Sequence, residues 1–366
     1  MFWKSSRVER NPLSVLENLA GTSDVVEGLI PLGGIAWLYG ASMSYKTFAA
    51  MSLAAAASTG RPWLGRRTMN CAVVYVGAEG GSALHVRRAA AEIAQGSSGP
   101  LFVVTERPLL DTPQGVARLH GVLQGLTNAA LGDYGDIELD AIYSAAVGDL
   151  EDDSAEALDD LEEVEAVLCI IDTYSQTSSG DDKVNVSAYV KGLRDIIDAA
   201  NGNLSFLVID HATKAGGTYM GSVAKLNDVD SQIEITRTGD CRALLQQRKV
   251  KDGVEGAAMH LEVVQQALDG FCDAYGRPVV SLVARDGSRA AKLADLAEGK
   301  AGVLLDIIVA RGGAVADVEA RTAFAAHDSN SGIKADSVGK AYRRARDSLL
   351  DAGLIGDETG LLSVSP

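Results

Sequence analysis

The sequence predicts an α/β protein: a mainly parallel twisted sheet, followed by a small helical domain. Three observations predict it. Apolar strand-like runs alternate with helical patterns through the first part of the 366 residues, as in a sheet covered on both faces. One such run leads into Gly40-Ala41-Ser42-Met43-Ser44-Tyr45-Lys46-Thr47, a loop that opens an alanine-rich helix. Beyond residue 300 the pattern changes to three helices and a short hairpin.

Residues 1–30 read as a lead-in with an amphipathic stretch at Pro12 to Leu19. A core over 31–286 follows. Its first strand is expected at Gly34 to Tyr39, and its first helix at Lys46 to Ser58. A second strand, Cys71 to Val76, ends at Gly77-Ala78-Glu79-Gly80-Gly81 and leads into a helix carrying Arg87 and Arg88. A third strand is expected at Leu101 to Thr105, before an acidic insertion at about 132–165 that reads as helix and solvated loop. The core resumes with a strand at Ala166 to Ile171, a helix through Tyr189 to Ala200, and a strand at Ser205 to Ile209. Shorter strands at Gln232 to Thr236, Ala243 to Gln247, His260 to Val264 and Val279 to Val283 read as antiparallel additions at the sheet edge. No internal repeat is apparent.

A polar linker over 287–300 precedes a domain at 301–366. Helices are expected there at Val303 to Arg311, Val315 to His327 and Ser337 to Ala352, then a hairpin of Leu354-Ile355 and Leu361 to Val364 around Asp357 to Gly360. Three helices and a β-wing make the winged-helix pattern. The third helix carries Lys340, Arg343, Arg344 and Arg346, with Lys334 just before it. Two readings stand: a DNA-binding helix that enters the major groove, or a protein-contact or structural element with a solvated basic face.

With 47% hydrophobic and 22% charged residues the composition is that of a globular chain, and a mostly disordered one is excluded. The net charge of −16 argues against a uniformly basic nucleic-acid binder. That excess is concentrated, since Leu119 to Asp182 contains no Lys or Arg and Asp149 to Glu165 is densely acidic. The remainder is nearly balanced, so a local basic loop or helix can still meet phosphates. The acidic segment reads as a solvated insertion, a mimic of nucleic-acid charge, or a surface for a replication or recombination protein. No secretory signal is expected in Met1 to Glu17, and the small-apolar stretch Phe48 to Ala57 is too short to span a bilayer. The cysteines Cys71, Cys169, Cys241 and Cys272 show no metal spacing and read as buried thiols, so a cytoplasmic protein with no membrane partner is expected.

The chemistry rests on strand ends. In the loop Gly40 to Thr47, continuing into Phe48, backbone N–H groups and the helix N-terminus would surround phosphates. Lys46 would reach the β- and γ-phosphates, and the Thr47 hydroxyl would hold Mg²⁺. Tyr45 departs from the common pattern, which has Gly before the lysine; its side chain must point away from the nucleotide. Val167-Leu168-Cys169-Ile170-Ile171-Asp172 is an apolar strand ending in a carboxylate that would bind the metal's shell. Glu79 ends the second strand within reach of the γ-phosphate, or else caps the following helix. Asp210 and His211 end another core strand, where His211 would sense the γ-phosphate or sit as a satisfied buried histidine. The order loop, Glu, Asp, His points to in-line attack of water on a γ-phosphoryl group. No Asn-Lys-x-Asp motif for guanine is present, so ATP is expected over GTP.

The runs Gly33 to Phe48, Thr59-Gly60-Arg61-Pro62-Trp63-Leu64-Gly65 and Val74 to Gly81 resemble the RepA-type hexameric helicase ATPases of plasmids and phages, which belong with the DnaB-like and RecA-like motors. The resemblance covers roughly Val26 to Gly256, and in it Tyr45 looks like a family variant. It implies a RecA-like P-loop core with Lys46 and Thr47 binding nucleotide and metal, Glu79 as catalytic base, Asp172 as the acid of the metal site and His211 as sensor. It also implies a basic finger from a neighbouring subunit, at Arg248 or Lys251. Loops contacting single-stranded DNA would fall at Ser178 to Asn185 and at Lys214 to Ser222, where Lys214 and Tyr219 are the candidate contacts. The implied function is a ring-forming, ATP-hydrolysing motor on single-stranded DNA, a homo-hexameric replicative helicase of a phage or plasmid. A recombinase-like filament, a helicase loader and an ATP-switched DNA-binding regulator are the alternatives.

Overall fold

The computed structural model describes residues 24–79, 81–130, 164–211, 228–251, 256, 258–288 and 299–364. Lys214, Tyr219, most of the acidic insertion and most of the 287–300 segment lie outside the described residues. The chain divides into two compact units, Met1–Arg285 and Asp286–Pro366.

In chain order the first unit contains β1 (Asp24–Val26), β2 (Ile30–Pro31), β3 (Ile35–Gly40), α1 (Lys46–Ala57), β4 (Cys71–Gly77), α2 (Ala83–Gln95), β5 (Leu101–Val104) and α3 (Pro113–Ala130). It continues with β6 (Ala166–Asp172), α4 (Tyr174–Thr177), α5 (Lys183–Ala199), β7 (Leu204–His211), β8 (Ser231–Gly239), β9 (Arg242–Val250), β10 (Met259–Cys272) and β11 (Pro278–Asp286). Residues 24–31, read above as the end of a lead-in, form the small β1-β2 sheet, and Val25, Val26, Leu29 and Ile30 are buried in the core.

Nine strands make one sheet in the order β11-β10-β9-β8-β3-β7-β6-β4-β5. From β8 to β5 every neighbouring pair is parallel, whereas β9 runs antiparallel to β8 and β10 antiparallel to β9. The sequence reading of a parallel core with antiparallel additions therefore matches the sheet. Strands β3, β4 and β6 are buried along their whole length because both faces are covered. Ala36, Leu38, Val73, Tyr75, Leu168 and Ile170 pack beneath α1, and Ile35, Trp37, Val74, Cys169 and Val208 face the other way, toward α5. Helix α1 is buried nearly all round, and its alanines let it lie close to the sheet.

Two helices go beyond the sequence reading. Helix α3 starts at Pro113, with Thr112 Oγ1 accepting from the Gly115 N–H at 3.2 Å, in a stretch before the acidic insertion to which no element was assigned. Helix α5 starts at Lys183 because Asp182 Oδ1 accepts from the N–H groups of Val184 (2.8 Å) and Asn185 (3.0 Å). Its buried residues Val186, Tyr189, Val190, Leu193 and Ile197 recur at helical spacing. Trp37, Tyr174 and Tyr189 form an aromatic triad on this face, with centroids 4.8 to 6.2 Å apart.

The second unit contains α6 (Lys300–Val309), β12 (Ala314–Ala316), α7 (Asp317–Ala326), α8 (Ala335–Asp351), β13 (Ile355–Glu358) and β14 (Leu361–Val364). Its three-stranded antiparallel sheet runs β12-β14-β13. Residues 314–316 correct the sequence expectation of a helix from Val315. They pair with Leu361 to Ser363 instead, and α7 begins only at Asp317. Val338, Tyr342, Ala345 and Leu349 turn one side of α8 into the core with Leu304, Ile308 and Phe324. No helix among the described residues is long and apolar enough to cross a membrane.

Gly192 in α5 faces α3, where an added Cβ would lie 2.6 Å from Val116 Cγ2 and 3.0 Å from the Leu110 carbonyl oxygen. Gly to Ala in a helix ordinarily gains about 0.5–1 kcal/mol, but overpacking against a backbone atom costs about 1–3 kcal/mol. Gly192→Ala is therefore expected to lower stability, read as a lower urea midpoint with an unchanged slope. A midpoint at or above wild type would show that the two helices can part freely.

Candidate nucleotide site

The loop after β3 is built for close approach. A Cβ on Gly40 would lie 2.3 Å from the Ile235 carbonyl oxygen and 2.9 Å from Ser44 Oγ, so only glycine fits between β3 and β8. Met43 (φ 63°) and Tyr45 (φ 70°) hold left-handed backbone conformations that wind the loop into α1. As the sequence required, the Tyr45 side chain leaves the loop. Its hydroxyl accepts from the Cys241 N–H at 3.2 Å, and the Arg237 guanidinium carbon lies 5.3 Å over its ring.

Three features of this loop fit a phosphate chain. Among the described residues no side chain caps the N-terminus of α1, whereas Asp182 caps α5, and the first turn of α1 holds no acid. Ser44 Oγ is buried with no hydrogen-bond partner among the described residues. The buried Lys46 ammonium donates to the loop's own carbonyls, Gly40 O at 2.9 Å and Ala41 O at 2.7 Å. Burial holds the Lys46 pKa below the usual lysine value, against the pull of Asp172, Asp210 and Glu79.

Asp172 closes the site from β6. Only 2% exposed, it accepts from Thr47 Oγ1 at 2.9 Å and from the Tyr75 hydroxyl at 2.6 Å, both on Oδ2. Burial raises its pKa above the usual carboxylate value, and the Tyr75 and Thr47 hydrogen bonds act against that rise. A hydroxyl and a carboxylate in contact are the hard oxygen donors that Mg²⁺ takes, so Thr47 and Asp172 fit as its protein ligands or their hydrogen-bonded second shell. Gly77 lies level with Asp172 in the β4/β6 register, and two residues on, Glu79 Oε1 accepts from Thr173 Oγ1 at 3.2 Å. The Asp172–Thr173 peptide is cis.

His211 lies level with Gly40 in the β3/β7 register, and strand alternation puts it on the α1 face with Leu207 and Ile209. Asp210 turns to the other face, accepting from the His211 N–H (2.8 Å) and from Trp37 Nε1 (3.3 Å). Both border a cavity of about 350 Å³ with Tyr174, Ser175 and the 178–181 segment. That segment, expected as a DNA-contacting loop, is pinned by Asp111, whose carboxylate accepts from the Ser179 N–H at 2.7 Å.

Each candidate finger residue is paired with an acid on or next to β8. Arg248 sits at a β-bulge in β9 and ion-pairs with Glu234 at 2.6 Å. Lys251 lies by Asp230, 3.7 Å away, at the starting edge of β3 and β8 and so opposite the loop. Lys340, Arg343 and Arg344 belong to the second unit, where all three are exposed on α8. Arg346 differs from them: it turns inward, donating to Asp317 at 3.2 Å and lying near Asp357.

Sequence reasoning missed three participants: Tyr75, Thr173 and Asp210 as a hydrogen-bond acceptor. For Tyr75 the signal was strand parity, since Val73, Tyr75 and Gly77 share the face that leads to Glu79. Of the four cysteines, all free, Cys71 and Cys169 are buried as expected, whereas Cys241 and Cys272, also expected to be buried, are exposed.

Comparison with known families matches residues 14–159 to a family described as AAA domain. Comparison with curated proteins gives no match. Among solved structures, the chain is similar to the crystal structure of the RadB recombinase, at 14% identity and a TM-score of 0.39 over 68% of this chain and 92% of that one. It is also similar to the ATPase domain of G40P, at 11% identity and a TM-score of 0.44 over 73% of this chain and 96% of that one.

The raised pKa of Asp172 carries a stability consequence for the metal-free, nucleotide-free protein. As pH rises above the ordinary carboxylate range, about 4, the unfolded chain ionises before the folded one, so stability falls and the full cost is present above the folded pKa. Asp172→Asn keeps an acceptor for Thr47 and Tyr75 without the charge. Its melting midpoint at neutral pH is expected to exceed wild type, by about 2–4 °C per kcal/mol gained, with the difference vanishing toward pH 3–4. A lower midpoint at pH 7 in calorimetry would refute the burial cost assigned to this carboxylate.

Proposed function

We propose that the chain is an ATP-hydrolysing motor with a RecA-like core that works as a ring on single-stranded DNA, a replicative-type helicase of a phage or plasmid. The observation that carries this reading is the convergence of Lys46, Thr47, Asp172 and Glu79 at one edge of the parallel sheet, beside an uncapped helix N-terminus. That is the placement a γ-phosphoryl group, its metal and an attacking water require.

In the proposed reaction the loop N–H groups and Lys46 hold the phosphate chain. Thr47 and Asp172 hold Mg²⁺, which when bound would offset phosphate charge. Glu79 takes a proton from the attacking water, and its link to Thr173 keeps the carboxylate beside Asp172. His211 on the same face serves as sensor, at the start of the segment that contains Lys214 and Tyr219.

A finger in trans is supplied by Arg248 or Lys251. Both pair with acids through half-exposed or exposed side chains, and such pairs contribute only about 0–1 kcal/mol, so a neighbour's phosphate can replace the acid. The second unit, with its order α6-β12-α7-α8-β13-β14, is read as a winged helix. Its α8 presents Lys340, Arg343 and Arg344 to DNA, with the exposed Arg321 beside Gly339 adding a fourth cation. This basic face is what favours the second reading, an ATP-switched regulator that binds duplex DNA.

The reading is tested by ATPase rates with and without single-stranded DNA, beside mass photometry with and without ATP. Stimulation by the strand together with closed assemblies of about six subunits is expected. Open-ended assemblies would favour a filament or loader, and duplex binding without strand stimulation would favour the regulator. Lys46→Ala should abolish hydrolysis and weaken ATP binding. Glu79→Gln should bind ATP normally while turnover falls by about 10²-fold or more. Normal turnover in Glu79→Gln would remove that residue from the base role.

A further inference from the structure

The nucleotide loop has a second cation beside it that no role above uses. Arg87, on the second turn of α2, places its guanidinium carbon 5.2 Å over the ring of Phe48. Phe48 directly follows Thr47 in the first turn of α1, at the helix end that would meet the phosphates. Among the described residues Arg87 makes no hydrogen bond and no ion pair, whereas its neighbour Arg88 is paired with Glu92 at 2.9 Å. It is also half-buried, so its charge is poorly screened. Burial raises the pKa values of Asp172 and Tyr75, and the nearby guanidinium acts against that rise.

We propose that Arg87 is a catalytic arginine acting in cis, swinging from the Phe48 ring to fork onto the phosphate chain held by its own subunit's loop. A guanidinium over a ring at a half-exposed site is held more weakly than one in a forked, charge-assisted pair with phosphate, so nucleotide binding favours the move. In the reaction the water oxygen bonds to Pγ and one water proton passes to Glu79. The bond from Pγ to the bridging oxygen breaks, its electron pair stays on ADP, and inorganic phosphate is the other product. Arg87 neutralises charge on the phosphate oxygens as that bond breaks.

The inference rests on the hydrolase reading of this site, and one set of full-length proteins separates the two. Wild type, Arg87→Ala, Arg87→Lys and Arg88→Ala are compared for ATPase kinetics with single-stranded DNA present. Thermal stabilisation by ADP and by ADP with aluminium fluoride is measured on the same samples. Arg87→Ala is expected to lose about 10²–10³-fold in kcat with KM changed by less than about threefold, Arg87→Lys to recover part of the loss, and Arg88→Ala to match wild type. ADP should stabilise wild type and Arg87→Ala equally, while the added stabilisation by aluminium fluoride, a mimic of the transferring phosphoryl group, should be lost in Arg87→Ala. Mixed assemblies of Arg87→Ala with Lys46→Ala subunits should stay inactive, because neither subunit has both groups in one site. Hydrolysis by Arg87→Ala within about threefold of wild type would overturn the assignment alone, as would activity regained on mixing, which would put the arginine in trans. A wild-type chain that hydrolyses no ATP would overturn the hydrolase reading and this assignment with it.

Discussion

A parallel sheet buried on both faces offers polar chemistry nowhere but at its strand ends. Along β3, β4, β6 and β7 nearly every side chain is packed beneath a helix, so a charged group within these strands would have no water and no partner. The ends are different, because helices start there and backbone N–H groups lack partners. Lys46 and Thr47 follow β3, Glu79 follows β4, Asp172 closes β6, and Asp210 and His211 close β7. Because these strands are parallel, their carboxyl ends lie along one edge. Chain order reverses around β3, with β7 on one side and β8 on the other, so the loop sits where an open α/β sheet leaves its crevice.

Assembling the site in this way works against stability. Asp172 and Lys46 are both buried, and burial shifts the pKa of each toward its neutral form. The hydroxyls of Thr47 and Tyr75 offset part of the cost at Asp172, and the loop carbonyls do the same at Lys46. Stability comes from the packing behind the loop, where the alanines of α1 lie against the sheet and Ser52 Oγ donates to the Ala284 carbonyl at 2.6 Å. A rigid helix thus carries a costly cluster at its N-terminus.

In the second unit one helix divides its cations by periodicity. Arg346 follows Tyr342 by four residues and falls near the buried side, where Asp317 draws in both the guanidinium and the Tyr342 hydroxyl. Lys340, Arg343 and Arg344 fall on the solvent side. The inward arginine holds the start of α7 and β13 at Asp357 to α8, and the outward ones face solvent.

Local rules made the main features legible from sequence. Strand β3, the loop and α1 were readable because an apolar run, a glycine-bearing turn and a helix are contiguous, and Asp172 was marked by the apolar run it ends. Tyr45 could be predicted to point away because a side chain at that turn has no room beside a nucleotide. Helix α3 was equally local, announced by Thr112-Pro113, but the acidic segment after it masked the signal. Other features depend on residues far apart in the chain. Strand β12 exists only because residues 361–363 come back to pair with it, and the 178–181 segment is held by Asp111 from α3's approach. Tyr75 meets Asp172 across 97 positions, and Arg87 meets Phe48 across two helices. Sequence alone determined which residues could bear the chemistry, because backbone conformation and burial pattern are set by near neighbours. Tertiary structure decided which of them are engaged and which are free, because a hydrogen bond or a cation over a ring requires a partner that only packing brings within a few ångströms.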